Sequence, residues 1–384
     1  MIIYRIVLFE LFFFFSSYNE IGDFMKKNYY LLGSVLLLSI IGLMMVYSSS
    51  SVWSMYRFHD SFHYVKYQGI FFIVGLLLLF LFSKIPYSIY HKYSFYLLGI
   101  SFLLLILVLI PGIGSIRNGS RSWFGIGSFG IQPSELCKIT LLIFTSKYLA
   151  NNNNYYSHPI LIFLPVIGTI LIFFGLIMLQ PDLGTGTIIV LSCIAVLFIG
   201  GMDIRFFIIG GVIGFIGLVL LIIAAPYRLL RILSFLDPWK DALGSGFQMI
   251  QSLYAIGPGG LLGHGYLNSI QKHFYLPEPQ TDFIFSVLVE EFGIFGVIVV
   301  VGLFFNLFFQ GMMVSLQSKE LFGKYLSFGL SFQILFQAIL NLMVVVGLIP
   351  VTGVTLPFLS YGGSSLLVSM VSIGIILNIS KNSV

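Results

Sequence analysis

The stretch LPEPQTDFIFSVLVEE, residues 276–291, stands at the start of a membrane-length apolar segment. Its two prolines end any helix that precedes them, because proline lacks a backbone N–H and clashes with the turn before it. Thr281 or Asp282 can then cap the helix that follows. Glu290 and Glu291 lie about two turns deeper. At about 100° per residue, Glu290 falls near the face of Asp282 and Glu291 points away, which predicts different partners for the two glutamates.

Charged residues are scarce throughout the chain. Of its 384 residues, 58% are hydrophobic and 9% are charged, whereas a soluble domain carries about a quarter charged residues. The composition therefore predicts a chain embedded in a membrane rather than a set of soluble domains. The formal net charge of +5 fits basic loops beside anionic lipid, and no basic block is long enough to indicate nucleic-acid binding.

Ten apolar segments after residue 25 approach the roughly 20 residues that a membrane-spanning helix needs. The bilayer offers backbone groups no water, so these segments are predicted to be helices. The predicted fold class is an all-α polytopic membrane protein with about ten transmembrane helices and a large structured extracellular loop, 226–281, between helices seven and eight. The segments lie at about 29–48, 66–83, 92–111, 134–150, 159–179, 185–201, 205–225, 282–310, 322–348 and 355–379.

Lysine and arginine residues in the short loops predict the orientation, because cytoplasmic loops carry the excess. This rule places both termini in the cytoplasm and the 226–281 loop outside. That loop carries basic residues against the rule, which predicts a task for them such as holding an anion; they are Arg228, Arg231, Lys240 and Lys272. Residues 1–24 form an N-terminal extension of doubtful role, either a dispensable start or a membrane-surface segment, and residues 25–384 form a single membrane domain.

Ionisable residues in or beside membrane segments are functional candidates, because burying them is costly. In residues 117–139, Arg121 precedes a glycine-rich loop, and Glu135 enters the first turn of a helix, where a carboxylate is favourable. Lys138 follows three residues later on the same face, so the two can pair. The pattern allows two interpretations: an ion pair that packs the fourth helix, or a cation-lined cleft with Trp123 as an amphipathic wall.

Two further stretches combine helix breakers with polar groups. In QPDLGTGT, residues 180–187, Asp182 is expected to cap a helix. In residues 348–367, prolines and paired glycines break regular helix at a membrane edge, which is tolerated only where protein or a wet cavity shelters the backbone. Ser360 offers a hydroxyl there. The 226–281 loop, rich in glycine, proline and aromatic residues, is expected to hold short amphipathic helices in the membrane interface.

The sequence offers no dedicated metal site. Cys137 and Cys193 lie in apolar segments and are interpreted as small core residues, and neither CxxC nor HExxH occurs. No cofactor is therefore expected to be built in.

Several multi-residue motifs occur in one order: NGSRSWFGIGSFGIQPSELCKI, QPDLGTG, QSLYAIGPGGLLG, LPEPQTDFIF with EEFG, and LPFLSYGGSS. They resemble the signature stretches of the SEDS family (shape, elongation, division, sporulation) over about residues 25–384. The motifs PEPQTDFIF and GLIPVTGVTLPFLSYGGSS resemble the branch of stage V sporulation protein E and FtsW more than the RodA branch. Many relatives have His where this chain has Gln280.

The resemblance implies ten membrane helices, peptidoglycan glycosyltransferase activity on lipid II and polyprenyl-linked glycan, and pairing with a class B penicillin-binding protein, a transpeptidase. It also implies a bacterial cell membrane location, at the septum or in the forespore membrane. Asp282 matches the essential acidic residue of the external loop. Positions associated with the central cavity are matched by Arg121, Trp123, Glu135, Lys138 and Asp182.

The expected mechanism gives Asp282 the part of a general base that takes the proton of the acceptor GlcNAc 4-hydroxyl. A helix N-terminus would lower the pKa of this carboxyl and burial would raise it, and the sequence leaves open which effect prevails. Arg121 and Lys138 are the first candidates to hold the leaving pyrophosphate, and the second are Arg228, Arg231 and Lys272. A divalent cation, Mg²⁺ or Mn²⁺, could bridge the pyrophosphate.

Two other function classes fit the same residues. A lipid II flippase would use a cation-lined cavity to bind the headgroup, although the charged candidates gather on one side, whereas alternating access favours a site at the membrane midplane. A non-catalytic scaffold that recruits the transpeptidase is the third hypothesis.

Overall fold

The computed structural model describes residues 29–117, 119–125, 130–152, 159–223 and 226–381, so the predicted extension 1–24 lies outside the described residues. The described chain is built of helices and one antiparallel hairpin, β1 (Ser115–Arg117) and β2 (Ser120–Trp123). The helices are α1 (Tyr29–Phe58), α2 (His63–Lys84), α3 (Tyr87–Leu109), α4 (Pro133–Asn151), α5 (Pro159–Met178), α6 (Leu183–Ile199), α7 (Ile204–Ile223), α8 (Pro226–Leu236), α9 (Phe247–Ile256), α10 (Ile284–Gln317), α11 (Leu321–Val345) and α12 (Gly363–Lys381).

Each apolar segment predicted to span the membrane falls on one of these helices, and the all-α membrane fold class is confirmed. Within the described ranges, seven helices are long and apolar enough to cross a bilayer: α1, α2, α3, α7, α10, α11 and α12. Shorter apolar helices are contributed by α5 and α6. The count of ten crossings stays a prediction, because α4 carries Glu135, Lys138 and Lys147 within its 19 residues.

Two helix boundaries were predicted wrongly. The first span was expected at about 29–48, but α1 continues to Phe58. The last span was expected at 355–379, but α12 begins only at Gly363. Residues 351–356 have no regular secondary structure. Carbonyl groups there accept hydrogen bonds from side chains of α11 and not from backbone N–H groups of a helix. Asn341 donates to Val354 O and Gln337 donates to Thr355 O.

Consecutive helix connections gather at alternate ends of the bundle. At one end, the α1–α2, α3–α4, α5–α6, α7–α10 and α11–α12 connections meet, as shown by Gln132 bonded to Asp182 and the Tyr361 N–H bonded to Gln280 O. At the other end, the Tyr87 N–H donates to Asn378 Oδ1. The long connection, residues 226–283, therefore lies at the same end as the hairpin and the α11–α12 loop, and the candidate site loops come together there.

The α10 helix is broken inside its apolar run, which the sequence did not predict. Gly293 has φ 61° and ψ −156°, a conformation that only glycine adopts readily. Backbone groups that lose their helical partners at the break are bonded by the long loop instead. The His264 N–H donates to Glu290 O at 2.9 Å, and the Ile294 N–H donates to Gly260 O at 3.0 Å. A Cβ on Gly293 would lie 2.6 Å from Gly263 N, so loop and helix fit only without a side chain.

The long loop is structured, and α8 is amphipathic as expected. The exposed apolar residues of α8 are Leu229, Leu230, Leu233 and Leu236, while Arg228 and Arg231 lie on the polar side of the helix. The preceding helix α7 exposes apolar side chains around most of its circumference, as a helix surrounded by lipid does. Placement of α8 in the membrane interface remains a prediction.

Candidate active site

Asp282 is the last residue but one before α10. Phe283 occupies the N-cap position of that helix, and no side chain caps it, so the interpretation of Asp282 as a helix cap is wrong. The carboxylate instead accepts a hydrogen bond from the neighbouring Thr281 hydroxyl, with Oγ1 and Oδ1 2.9 Å apart. The side chain is half-buried and forms no ion pair with the described residues.

Burial controls the acidity of this carboxyl. Removal from water raises the pKa of Asp282 to about 6, and the Thr281 hydroxyl and a backbone N–H lower it less than burial raises it. Glu278 raises the pKa further, and Arg231 lowers it slightly through its positive charge. Burial is therefore the largest influence on this carboxyl, and the net direction of its pKa shift is upward. A carboxylate with a pKa near neutrality is a better base than an ordinary aspartate.

The α11–α12 loop lies directly against the segment that carries Asp282. The Tyr361 N–H donates to Gln280 O at 2.8 Å. Ser360 is buried, and its hydroxyl oxygen accepts the Leu356 N–H at 2.8 Å, while Gln68 on α2 donates to its carbonyl at 3.0 Å. The predicted hydroxyl of Ser360 is therefore used to shape the loop next to the acid.

The Glu135–Lys138 pair forms as predicted. The lysine Nζ lies 2.6 Å from Glu135 Oε1 and 2.8 Å from Gln337 Oε1, and all three side chains are buried. Gln337 Nε2 donates to Thr355 O at 3.0 Å, which connects the pair to the α11–α12 loop. A buried ammonium requires such partners, because an unpaired charge in a dry interior is strongly unfavourable.

Sequence reasoning missed Gln337 as the partner of this lysine. The signal was present: Gln333, Gln337 and Asn341 recur every four residues along apolar α11, which places three amides on one helix face.

Asp182 caps α6, as predicted. Its Oδ1 accepts the Thr185 N–H at 3.1 Å, and its Oδ2 accepts a hydrogen bond from Gln132 Nε2 at 2.8 Å. The Ser120 hydroxyl donates to Gln180 O, so the hairpin rests on the connection that begins α6. The carboxylate thus joins the start of α4 to the start of α6.

The hairpin brings Arg121 and Trp123 to the same end of the molecule. The guanidinium that stacks on Trp123 belongs to Arg117, with its carbon 4.8 Å from the ring centroid. Arg121 on β2 is half-buried, faces Ile116 across the hairpin, and forms no salt bridge within the described residues. Ser364 at the start of α12 holds the chain between the hairpin and α4, since its hydroxyl donates to Gly130 O at 2.9 Å.

Of the second group of cations, two lie on α8. Arg231 is exposed and donates to Val351 O at 3.1 Å, which places it over the α11–α12 loop and within electrostatic reach of Asp282. Arg228 donates to Leu221 O at 2.9 Å and lies closer to the end of α7.

Lys272 belongs to a separate buried cluster that joins the long loop to α1 and α10. Its Nζ lies 3.1 Å from Glu291 Oε1, and the Ser48 hydroxyl donates to the same oxygen at 2.5 Å. Glu290 accepts the Ser269 hydroxyl at 2.6 Å and a loop backbone N–H at 2.7 Å. The cation and the Ser48 hydroxyl bond Glu291 alone, so the two glutamates differ in their main partners as the sequence predicted, but Ser269 bonds both, since its N–H donates to Glu291 Oε1 at 3.2 Å. We refer to Ser48, Ser269, Lys272, Glu290 and Glu291 as the loop anchor.

An open groove of about 730 Å³ lies at the end of α1. It is lined by Ser51, Val52, Met55, Tyr56, His59 and Phe274 and has largely apolar walls, so we attach no chemistry to it. Within the described ranges, no three His, Cys, Asp or Glu side chains are grouped to hold a metal ion.

Comparison with known proteins gives consistent matches over nearly the whole chain. The family described as Cell cycle protein, which groups FtsW, RodA and SpoVE, matches residues 29–384. Stage V sporulation protein E from Bacillus subtilis (strain 168) is 49% identical over 348 residues, which are 91% of this chain and 95% of that protein. The probable peptidoglycan glycosyltransferase FtsW from Trichlorobacter lovleyi is 41% identical over 350 residues, covering 91% and 92%.

Solved structures match equally broadly. One is a chain of a structure described as structural coordination of polymerization and crosslinking by a peptidoglycan synthase complex. It matches with a TM-score of 0.71 and 31% identity, and the match covers 92% of this chain and 97% of that chain. Another is the rod shape determining protein RodA of Thermus thermophilus, with a TM-score of 0.65, 29% identity and coverage of 91% and 95%.

Proposed function

The chain belongs to the SEDS family of FtsW, RodA and SpoVE cell cycle proteins, and from this premise we propose that it polymerises lipid II with Asp282 as general base. It is a multi-pass membrane protein and a peptidoglycan glycosyltransferase, as its relatives over more than nine-tenths of the chain are named. The observation that carries the mechanistic proposal is the half-buried Asp282 carboxyl, which is free of ion pairs among the described residues and has a pKa of about 6.

Asp282 takes the proton of the acceptor GlcNAc 4-hydroxyl as that oxygen attacks the donor anomeric carbon. The bond between this carbon and the pyrophosphate oxygen breaks, and the lipid pyrophosphate leaves with the electron pair. General-base assistance of this kind is worth about 10²–10⁴-fold in rate. A pKa of about 6 keeps the carboxyl mostly ionised at neutral pH while it remains a stronger base than an ordinary aspartate.

Positive charge for the leaving pyrophosphate is supplied by Arg121 on the hairpin and Arg231 on α8. Both lie at the end of the bundle that carries Asp282, and neither is neutralised by a salt bridge within the described residues. Arg228 on α8 is the next candidate. Charge-assisted contacts from guanidinium groups stabilise the negative charge that develops on the leaving group.

Lys138 forms a buried hydrogen-bonded group with Glu135 and Gln337 between α4 and α11. Its ammonium is already engaged by both partners, so we assign it the task of holding the start of α4 and the α11–α12 loop together beneath the substrate. Trp123, with Arg117 stacked on it, provides a wall of the cleft. Asp182 orders the start of α6 beside them.

A Mg²⁺ or Mn²⁺ ion stays part of the proposal as a companion of the substrate. The described residues supply no carboxylate cluster, so the ion would be held mainly by pyrophosphate oxygens. Such an ion supplies charge neutralisation when it is bound.

The partner that we propose is a class B penicillin-binding protein, which cross-links the glycan as it is made. Support comes from the similar chain solved within a peptidoglycan synthase complex. The similarity to both stage V sporulation protein E and FtsW supports a place at the forespore membrane or the division septum, with both termini in the cytoplasm.

The test is polymerisation in liposomes that contain the full chain, its transpeptidase partner and labelled lipid II. We expect the wild type to make long glycan and Asp282→Asn to make about 10²–10⁴-fold less. The matched control is Asp241→Asn, an exposed aspartate of the same long loop that only caps its own turn at Ser245. Lipid II translocation in both proteins without any polymer would contradict the proposal and favour the flippase, and normal polymer from Asp282→Asn would exclude Asp282 as the base.

A further inference from the structure

Asn341 on α11 makes two hydrogen bonds that meet at the catalytic segment. Its side chain is fully buried. The amide nitrogen donates to Asp282 O at 2.7 Å and to Val354 O at 2.8 Å. One side chain therefore bonds the residue that carries the base and the loop that lies against it.

The orientation of this amide is fixed by its partners. Two carbonyl oxygens face it, and both need donors, which only the NH₂ end of the amide provides. The amide oxygen has no partner among the described residues. The contact is therefore a double donation from one nitrogen, which aspartate, leucine or alanine cannot reproduce.

The bonded backbone groups have no helical partners of their own. Asp282 precedes α10, and Val354 lies in the irregular part of the α11–α12 loop. A second long-range bond, from the Tyr361 N–H to Gln280 O, holds the same segment two residues earlier. The position of Asp282 is thus set by α11 and the α11–α12 loop as well as by its own helix.

We propose that Asn341 is a positioning residue, which holds the Asp282 backbone against the α11–α12 loop so that the carboxyl points at the acceptor hydroxyl. Asn341 touches no reacting atom, since both of its donors are bonded to backbone. The proposal rests on the function proposed for Asp282. Misplacement of a catalytic group by about 1 Å can cost about 10²-fold in rate, so loss of this clamp has a measurable effect.

The chain offers a matched control at the opposite end of the bundle. Asn378 on α12 is also buried, accepts the Tyr87 N–H at 2.8 Å and donates to Ser83 O at 3.1 Å. It clamps the α2–α3 connection in the way that Asn341 clamps the catalytic segment. A comparison of Asn341→Ala with Asn378→Ala therefore separates a general loss of packing from a loss of positioning.

The experiment measures kcat and KM for lipid II across pH 5 to 8.5 in liposomes with the transpeptidase, normalised to the folded fraction of each variant. We expect Asn341→Ala to lower kcat by about 10- to 100-fold with little change in KM, and to move the acidic limb of the profile to lower pH because the released carboxyl is better hydrated. Asn378→Ala should keep its kcat within about threefold of wild type and its limb unmoved, because its clamp is far from the carboxyl.

Hydrogen exchange of residues 278–283 gives a second reading that does not depend on catalysis. Exchange there should accelerate in Asn341→Ala and stay unchanged in Asn378→Ala. Should Asn341→Ala fail to fold, Asn341→Ser, which keeps one donor, takes its place and should show intermediate values. Equal kcat losses in the two asparagine variants, or unchanged exchange at 278–283, would overturn the inference. Full activity of Asp282→Asn alongside faster exchange in Asn341→Ala would instead remove the proposed base and leave the clamp in place.

Discussion

Three acidic residues lie at or near the start of α10, and they differ in burial and in the number of hydrogen bonds that they accept. Glu290 and Glu291 are fully buried, and each accepts hydrogen bonds from several donors of the long loop or α1. Asp282 is only half-buried and accepts a side-chain bond from Thr281 alone within the described residues. The glutamates are buried in the fold and closed to another molecule, whereas the half-buried aspartate retains oxygen lone pairs for one.

This difference indicates how a chain with few charges divides them between structure and chemistry. A buried carboxylate that is paired or hydrogen-bonded holds two segments together. A carboxylate that is desolvated without a strong partner has its pKa raised toward neutrality, where it can exchange protons. The five predictions below test this division, in order of decreasing effect.

Replacement of the unpaired acid should remove activity and leave the fold intact. Asp282→Asn keeps the shape of the side chain but cannot take a proton, so glycan synthesis should fall by about 10²–10⁴-fold. The measurement is polymer length and rate with labelled lipid II, and circular dichroism should remain that of the wild type. A variant that has lost its helical signal would place Asp282 with the structural acids and end the distinction.

Replacement of a paired group should have the reverse outcome. Lys272→Met leaves Glu291 buried without its cation, and removal of one partner of a buried pair costs about 3–5 kcal/mol of stability. The control is Lys66→Met, because the Lys66–Asp60 pair at 2.7 Å is exposed and screened by water, so its loss should leave stability nearly unchanged. Thermal unfolding in detergent measures both. Equal melting temperatures for the two variants would show that the loop anchor does not stabilise the fold.

The helices were predictable from the sequence because the bilayer imposes a simple rule. Long apolar segments have to be helical, so the spans were found at nearly correct positions. The pairing of Glu135 with Lys138 and the cap at Asp182 were also predictable, because both depend on residues within one helical turn. The resemblance, and not the spacing, singled out Asp282 among the acids.

Contacts between distant segments were not predictable. Ser48 and Glu291 are 243 positions apart, and nothing local in either segment indicates their bond. The stacking of Arg117 on Trp123 depends on the register of the hairpin. The break in α10 depends on a glycine of the long loop that fits against Gly293, and a single glycine in an apolar run carries no such information.

The break in α10 also sets how the loop anchor meets the helix. Gly293→Ala would need a left-handed conformation and would place a Cβ 2.6 Å from Gly263 N, so we expect a loss of about 1–3 kcal/mol. Gly302→Ala in the same helix is the control, because a Cβ there meets nothing within 4 Å. Chemical denaturation of the two variants should separate them clearly. A stable Gly293→Ala would mean that the loop can be displaced without cost.

The difference in stability between Asp282→Asn and the wild type should depend on pH in a defined direction. The folded pKa of about 6 lies above the ordinary value of 3.8, so the wild-type carboxyl contributes stability below about pH 4 and loses it as pH rises through about 6. Asparagine carries no charge at any pH. The variant should therefore be more stable than the wild type at pH 7.5, by on the order of 1–3 kcal/mol, and the advantage should shrink at pH 4.5. An advantage that grows toward low pH would have the wrong sign.

The smallest effect concerns the positive charge nearest to the acid. Arg231 lowers the pKa of Asp282, so Arg231→Gln should raise it and move the acidic limb of the pH–rate profile to higher pH. Lys240→Gln removes the same charge from the same loop, and Lys240 is not among the groups that shift this pKa, so its limb should stay in place. Added salt should reduce the difference between wild type and Arg231→Gln, because the arginine is exposed and screened. If the limb moves to lower pH in Arg231→Gln, the arginine acts by shielding the carboxyl from water instead of by its charge.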